Sequence, residues 1–379
     1  MTADVIVLGL GGMGSAAASA LARRGAKVLG FEQFPFAHHR GSSHGHTRII
    51  RTAYYEHPAY VPLVKRAFTL WQELEARTGR HLLTPCPCLN IGSSDSEVVR
   101  GVQAAAAEHG LEIETLTASE IVARYPQFRL PADSVGVLER AAGFLLVEEC
   151  VRAHLDDARA HGAELHAETP VVSWRAVGNT VEVTTATGTH TAAKLVITAG
   201  PWATRLLADI GVSLSIMRQV QLWFAPDPKP PLFARERFPI FLCDTPGGAF
   251  YGLPATDGRG LKCARHYGAP ELDSPEAVSW DVTPADLAPV AAFLREYLPA
   301  AGANTSAEVC QYTLTPDRHF VIDRHPALLN VAVACGFSGH GFKFAPTVGE
   351  ILADLTLRGA TAHPIELFRA NRRRVATRL

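Results

Sequence analysis

The stretch Val5-Ile6-Val7-Leu8-Gly9-Leu10-Gly11-Gly12-Met13-Gly14 decides the fold. Its four consecutive apolar residues read as a short strand buried on both faces, and glycines follow at once at 9, 11 and 14. The Ala-rich segment to Arg24 reads as a helix closed by Gly25, and Lys27–Phe31 as a second strand finishing at Glu32. This is a βαβ opening suited to a dinucleotide. Gly9 permits the tight turn, Gly11 lets backbone approach a pyrophosphate, and Gly14 lets the helix lie close on the strand, with Gly12 and Met13 completing the loop. The helix N-terminus offers N–H groups to phosphate, and Glu32 is placed to accept from ribose hydroxyls. An acid there suits FAD or NAD and disfavours NADP, whose 2′-phosphate it would repel.

Outward from this motif, 379 residues with 47% hydrophobic and 19% charged composition exceed the size at which one core stops growing, so two domains are expected. With 36 basic and 37 acidic residues, charge gives no reason to expect nucleic acid or an anionic membrane surface as partner. A small molecule is the expected ligand. The N-terminus runs into Val5–Leu8 without a secretory pattern, and no run of about 18 apolar residues suggests a membrane span. Seven scattered cysteines, at 86, 88, 150, 243, 263, 310 and 335, read as reduced thiols in a cytoplasm. Cys86-Pro87-Cys88 makes a poor zinc site, and no metal is expected. On composition alone Cys310 is a small hydrophobe.

Periodicity predicts helices over Pro58–Thr78, Glu97–His109 and Val147–His161, with a further one behind the Thr117–Glu120 capping box. Short strands follow at Glu164–Ala167, Val171–Arg175, Thr180–Thr185 and Thr189–Ala192, then a separate apolar strand, Lys194–Gly200. Between 212 and 304, strand-like pieces at Gln219–Ala225, Ile240–Cys243, Ala249–Leu253 and Leu261–Ala264 precede a helix over Pro284–Leu298. Ala332–Lys343 reads as a strand running into a glycine-rich loop, and Pro346–Leu357 as a helix stopped by Gly359. The expected class is α/β, with an α+β second domain interleaved with the first.

Three clusters carry chemistry. Gly41-Ser42-Ser43-His44-Gly45-His46-Thr47-Arg48-Ile49-Ile50-Arg51 pairs a small-residue loop with two arginines that suit a cofactor and a carboxylate. In Leu261-Lys262-Cys263-Ala264-Arg265-His266, strand alternation puts Lys262 and His266 on one face. Gly336-Phe337-Ser338-Gly339-His340-Gly341-Phe342-Lys343, just before a helix, makes an anion site of the kind that favours a reduced flavin.

In order, VIVLGLGGMGSAAASALARRG, GSSHGHTRIIR, LVITAGPW, VCQYTLTPDRHFVID and GFSGHGFKFAPTVGE resemble the monomeric sarcosine oxidase family across essentially the whole chain. That family includes N-methyltryptophan, pipecolate and fructosyl amine oxidases. The resemblance implies a glutathione-reductase-like FAD-binding Rossmann domain (1–81, 143–207 and 308–379) interleaved with a mostly antiparallel-sheet substrate domain (82–142 and 208–307). It implies that Cys310 bonds covalently to the flavin 8α carbon, that Arg51 and Lys343 hold the substrate carboxylate, and that Arg48 packs against the flavin. Lys262 matches the lysine associated with oxygen activation, and His266 and Tyr251 match pocket residues. Ser42, Ser43, His44, Gly200, Gly339, His340 and Gly341 fall at the flavin, and Val171 at the adenine. Ser43 and His46 replace a histidine and an aspartate often found there, and Leu242 replaces a methionine.

The implied reaction is oxidation of a secondary amino acid to an imine that hydrolyses, releasing formaldehyde from N-methyl substrates, with O2 reduced to H2O2. Sarcosine-like, L-pipecolate, L-proline and fructosyl amino acid substrates all suit it, and the family points to a monomer. Cationic Arg48, Arg51, Lys343 and His266 would favour the neutral amine by like-charge repulsion, and no carboxylate base stands in the motifs. A flavin dehydrogenase using another acceptor shares most of these features. An NAD-dependent dehydrogenase leaves Cys310 and the C-terminal glycine loop unexplained, and a non-enzymatic FAD-binding protein leaves all three clusters idle.

Overall fold

A computed structural model describes residues 3–225, 232–256 and 258–372. The opening motif folds as expected: strand Ala3–Leu8, helix Gly12–Arg23 and strand Val28–Phe31, with the two strands parallel. Gly9 has φ +81°, and a Cβ at Gly14 would lie 1.7 Å from the Gly9 carbonyl oxygen. That contact is far inside van der Waals range, so the helix can sit this close to the strand only on glycine.

Among the described residues, eight strands form the first sheet. Glu164–His166, Val28–Phe31, Ala3–Leu8 and Gly188–Ile197 lie side by side in parallel, and Val331–Cys335 continues the parallel order beyond Gly188–Ile197. The two strands expected over 189–192 and 194–200 are one ten-residue strand, Gly188–Ile197. Its first half pairs antiparallel with Thr180–Thr185, and its second half runs parallel to Ala3–Leu8. The alternation of the exposed half and the apolar run of the buried half look like two elements because the environment changes midway.

Helices Gly12–Arg23, Val147–Ala160 and Ala345–Arg358 share one core with this sheet, through Ala17, Leu21, Val151, Leu155, Val348 and Leu352. A Cβ on Gly349 would come within 2.6 Å of the Ala16 carbonyl, which shows how closely two of these helices cross.

The second sheet has nine strands, eight of them ordered Glu271–Leu272, Ser215–Ala225, Leu261–Arg265, Gly248–Leu253, Ile240–Thr245, Cys88–Gly92, Val135–Glu139 and Glu114–Thr117. The ninth, Ala303–Leu314, pairs antiparallel with Ser215–Ala225 along its whole length. The boundary expected at 308 therefore falls inside a strand that belongs entirely to this sheet. Phe224, Phe241, Phe250 and Phe293 build its core beneath helix Pro284–Tyr297. A three-stranded sheet, Thr47–Ile50, Gly143–Leu146 and Leu83–Pro85, lies where the chain crosses between the two. Among the described residues, no helix is long and apolar enough to cross a membrane.

Candidate active site

One cleft runs from the opening glycine motif to the second sheet and encloses about 2020 Å³ including its open mouth. Its lining runs from the glycine motif of the first sheet to residues of the second sheet, a reach that suits a dinucleotide with a small substrate beyond it. At one end Gly9, Gly11, Gly12 and Met13 line it, with Glu32, Val171 and Gly200. Gly14 lies behind this wall, where its part is helix–strand contact. Glu32 also serves its own backbone, accepting from Leu10 N at 2.9 Å and Phe34 N at 3.1 Å.

The loop 41–47 spans both sheets. Gly45 and His46 both take left-handed conformations, at φ +88° and +71°. Such a turn holds only if its polar groups are bound. The Glu148 carboxylate accepts from Gly45 N (2.8 Å) and His46 N (3.2 Å), and Lys262 Nζ donates to the carbonyls of Gly45 (2.7 Å) and Thr47 (3.0 Å). Ser42 Oγ donates to the Gln311 carbonyl and Ser43 Oγ accepts from Gly12 N, so Ser42 and Ser43 stitch this loop to both sides of the cleft. The small-residue loop leads into the strand Thr47–Ile50, which carries Arg48, and Arg51 follows directly after it.

Arg48 donates to Gln221 Oε1 and the Ser42 carbonyl, and its Nη2 lies 3.6 Å from Cys310 Sγ. Cys310 is buried on Ala303–Leu314 and lines the cleft. Burial pushes its thiol up, but His44, Arg48 and Lys262 outweigh this and hold it below the ordinary thiol range. Burial opposes a charged His44 ring, yet Cys310 and Glu308 raise its pKa to about 9. His44 itself sits behind the cleft wall, with Nδ1 3.3 Å from Glu308.

At the far end the segment 336–343 passes through left-handed Gly336, Ser338 and Gly339. Lys343 Nζ donates to the His340 carbonyl at 2.7 Å and to Tyr54 Oη at 3.3 Å. Burial, then the Arg51 charge, lowers its pKa to about 7. Arg51 lies between the Tyr54 and Tyr55 rings, 4.4 and 4.8 Å from their centroids, and its Nη2 donates to both oxygens of Glu56 at 2.9 and 2.7 Å. Glu56 was not legible as a site residue, and it provides the carboxylate absent from the motifs. Gly339, His340 and Gly341 line the same end with His266 and Tyr251. Burial raises the Tyr251 phenol to about 12 and lowers His266 to about 4. His266 is therefore uncharged at neutral pH and leaves the cationic set expected for it. The strand Leu261–Arg265 ends just before His266, so His266 reaches the cleft while Lys262 stays behind the wall under the Trp223 ring.

Four buried polar atoms of residues lining the cleft have no partner among the described residues: Gln219 Nε2, Gln221 Nε2, Gln311 Oε1 and Thr313 Oγ1. Their residues all line the cleft, from adjacent strands of the second sheet. Unpaired buried polar groups are uncommon, and four together fit a ligand whose edge alternates donors and acceptors, as a flavin ring does. With the glycine motif and Glu32 at the other end, the cleft fits FAD.

The family model for FAD-dependent oxidoreductases matches residues 4–355. The chain belongs to that family. It is 46% identical over 372 residues to a monomeric sarcosine oxidase of Streptomyces avermitilis, covering 97% of both chains. It is 36% identical to an N-methyl-L-tryptophan oxidase of Salmonella agona, covering 98% of this chain and 99% of the other. Among solved structures, the open form of NikD, an unusual amino acid oxidase essential for nikkomycin biosynthesis, superposes with a TM-score of 0.85 at 27% identity, over 97% of each chain. The protein is thus an FAD-dependent oxidoreductase, as the motifs implied.

Proposed function

We propose that the protein oxidises N-methyl or other small secondary amino acids at the C–N bond, passing the electrons through FAD to O2. The observation that carries this reading is the convergence of Arg51 and Lys343 on the cleft end lined by Tyr251 and uncharged His266. The relatives named for sarcosine and N-methyltryptophan oxidation support it. When bound, FAD supplies the two-electron acceptor. The imine product hydrolyses, with formaldehyde leaving from an N-methyl substrate and H2O2 formed from O2. Cys310 would hold the cofactor covalently, the glycine motif and Glu32 would hold its dinucleotide end, and Arg48 the region beside Cys310.

The chain's own contribution is orientation and charge. Arg51 and Lys343 fix the substrate carboxylate, each charged hydrogen bond contributing roughly 1.5–3 kcal/mol. The same two cations, with Arg48, disfavour a protonated amine in the cleft. Ile49, Leu242 and Leu253 give this end apolar walls suited to a small N-substituent. Seven unpaired, buried cysteines accord with a cytoplasmic protein, and the relative named as a monomeric sarcosine oxidase supports a monomer.

An anaerobic panel of sarcosine, other N-methyl amino acids, L-proline, L-pipecolate and fructosyl amino acids, read by flavin bleaching, tests the reading. Bleaching by none of them overturns it. Replacing Arg51 by alanine is expected to raise KM for a carboxylate substrate more than about tenfold, the equivalent of one lost charged bond. Unchanged kinetics would remove Arg51 from this role.

Lys343 adds a pH signature. Its pKa of about 7 without ligand rises when a carboxylate binds beside it, so binding favours the protonated amine. Its contribution to affinity is fully present below pH 7 and fades as pH climbs from 7 towards the raised value. Acetate titrations against the flavin spectrum should show this step near pH 7, and Lys343→Met should lack it.

A further inference from the structure

The proton that a substrate ammonium must lose before oxidation has a destination in this cleft. We propose that Glu56 is a catalytic residue: the substrate carboxylate displaces it from Arg51, and the freed Glu56 carboxylate takes the proton from the substrate ammonium. The inference rests on the carboxylate site proposed above.

The geometry favours movement of Glu56 over movement of Arg51. The guanidinium is held between two tyrosine rings, and its Nη1 donates to the Ala53 carbonyl at 3.0 Å. The backbone on its side of the segment is tied down, with Thr52 N and Ala53 N donating to Glu139 at 2.6 and 3.0 Å. Glu56 lies beyond that anchor, between the strand Thr47–Ile50 and the short turn Pro58–Tyr60, outside any helix or strand. Both its oxygens occupy Arg51 Nη2, the nitrogen not committed to Ala53. A ligand carboxylate arriving at Arg51 competes for that nitrogen.

The surroundings decide what the displaced carboxylate does. Besides Arg51, the charged group facing Glu56 is Lys343; His340 lies 3.9 Å away but is held neutral by burial, and so is His266. The neighbouring Tyr54, Tyr55, Tyr60 and Tyr267 phenols are buried and un-ionised, and half-buried Glu97 adds only negative charge. Stripped of Arg51 and set beside a second carboxylate, Glu56 gains affinity for a proton, because two like charges in one buried site favour sharing one. Only Glu32 and Glu56 are carboxylates among the described residues that line the cleft, and Glu32 stands at the glycine-motif end.

The step balances. One N–H bond of the ammonium breaks and one O–H bond forms on Glu56, with no change in electron count or in the net charge of the complex. The proton leaves when product departs and Arg51 recovers its partner.

The test counts protons on the holoenzyme with acetate, which brings a carboxylate but no ammonium. Calorimetry at pH 6, in buffers of different ionisation enthalpy, keeps Lys343 already charged. Wild type should take up about one proton per acetate bound, because Glu56 must draw it from solution. Glu56→Gln should take up none, bind acetate about tenfold more tightly because an amide competes less well for Arg51, and be reduced by sarcosine at least about tenfold more slowly at pH 7. A role in folding alone would not tighten acetate while slowing reduction. Acetate binding without proton uptake by wild type, a measurement that needs no variant, overturns the inference and leaves the carboxylate site standing. Uptake that persists in Glu56→Gln overturns it too. If acetate does not bind at all, the carboxylate site falls and takes this inference with it.

Discussion

Replacing Cys310 by alanine is expected to free the flavin. After acid precipitation the wild-type pellet stays yellow and the supernatant colourless; with Cys310→Ala the colour moves to the supernatant as intact FAD. Burial pushes the thiols of the other six cysteines up, Cys86 to about 11 and Cys335 to about 12, and Cys88, Cys150, Cys243 and Cys263 further still. Cys335 lines the same cleft and is just as buried, so neither position nor burial distinguishes Cys310. What distinguishes it is company: against its own burial, His44, Arg48 and Lys262 hold the thiol down. A thiolate is the form that bonds to carbon, so among the seven this one is prepared for it. Free FAD in the wild-type supernatant would return Cys310 to packing.

That company was half visible in the sequence. Gly41–Arg51 showed a loop with arginines, and the run around Cys310 showed a strand, but nothing local joins residues 260 positions apart. The join is made by a crossing in space, where Ser42 reaches the backbone of Gln311 and Arg48 reaches Gln221. The opening βαβ unit was legible because its signals are local: a buried strand, glycines whose absent side chains are required by contact, and a helix with its stop. Lys262 and His266 show the limit. Strand alternation put both on one face, and the strand ended one residue too soon for that rule to hold. Glu56 was invisible for another reason, since an acid in an irregular segment resembles any surface carboxylate until Arg51 is found clasping it. The unpaired amide atoms Gln219 Nε2, Gln221 Nε2 and Gln311 Oε1 likewise emerge only from the register that sets Ser215–Ala225 beside Ala303–Leu314.

Lys262→Met is expected to slow the reaction of the reduced enzyme with O2 by about 100-fold or more, the usual cost of deleting one preorganised charged donor from a dry site, while reduction by the amine changes only a few-fold. The structure gives Lys262 two possible duties that this experiment separates. As a tether, it holds the carbonyls of Gly45 and Thr47 and thereby the loop that carries Arg48. As a charge, it is held back: burial first and Arg48 second lower its pKa well below the ordinary lysine range, against the pull of Cys310, Glu148 and Glu308. Negative charge gained in the cleft in the proposed oxidation would change that balance in favour of the protonated amine, so the cation would be strongest at the step where O2 is expected to accept electrons. Methionine keeps the length and apolar bulk and removes the donor. If the tether dominates, Arg48 and the cleft wall shift in both half-reactions, and stopped-flow traces slow together for anaerobic reduction and for reoxidation. If the charge dominates, only reoxidation slows, because the carboxylate site proposed for the amine, at Arg51 and Lys343, does not include Lys262. Equal slowing of both would assign Lys262 to the loop and remove it from oxygen chemistry.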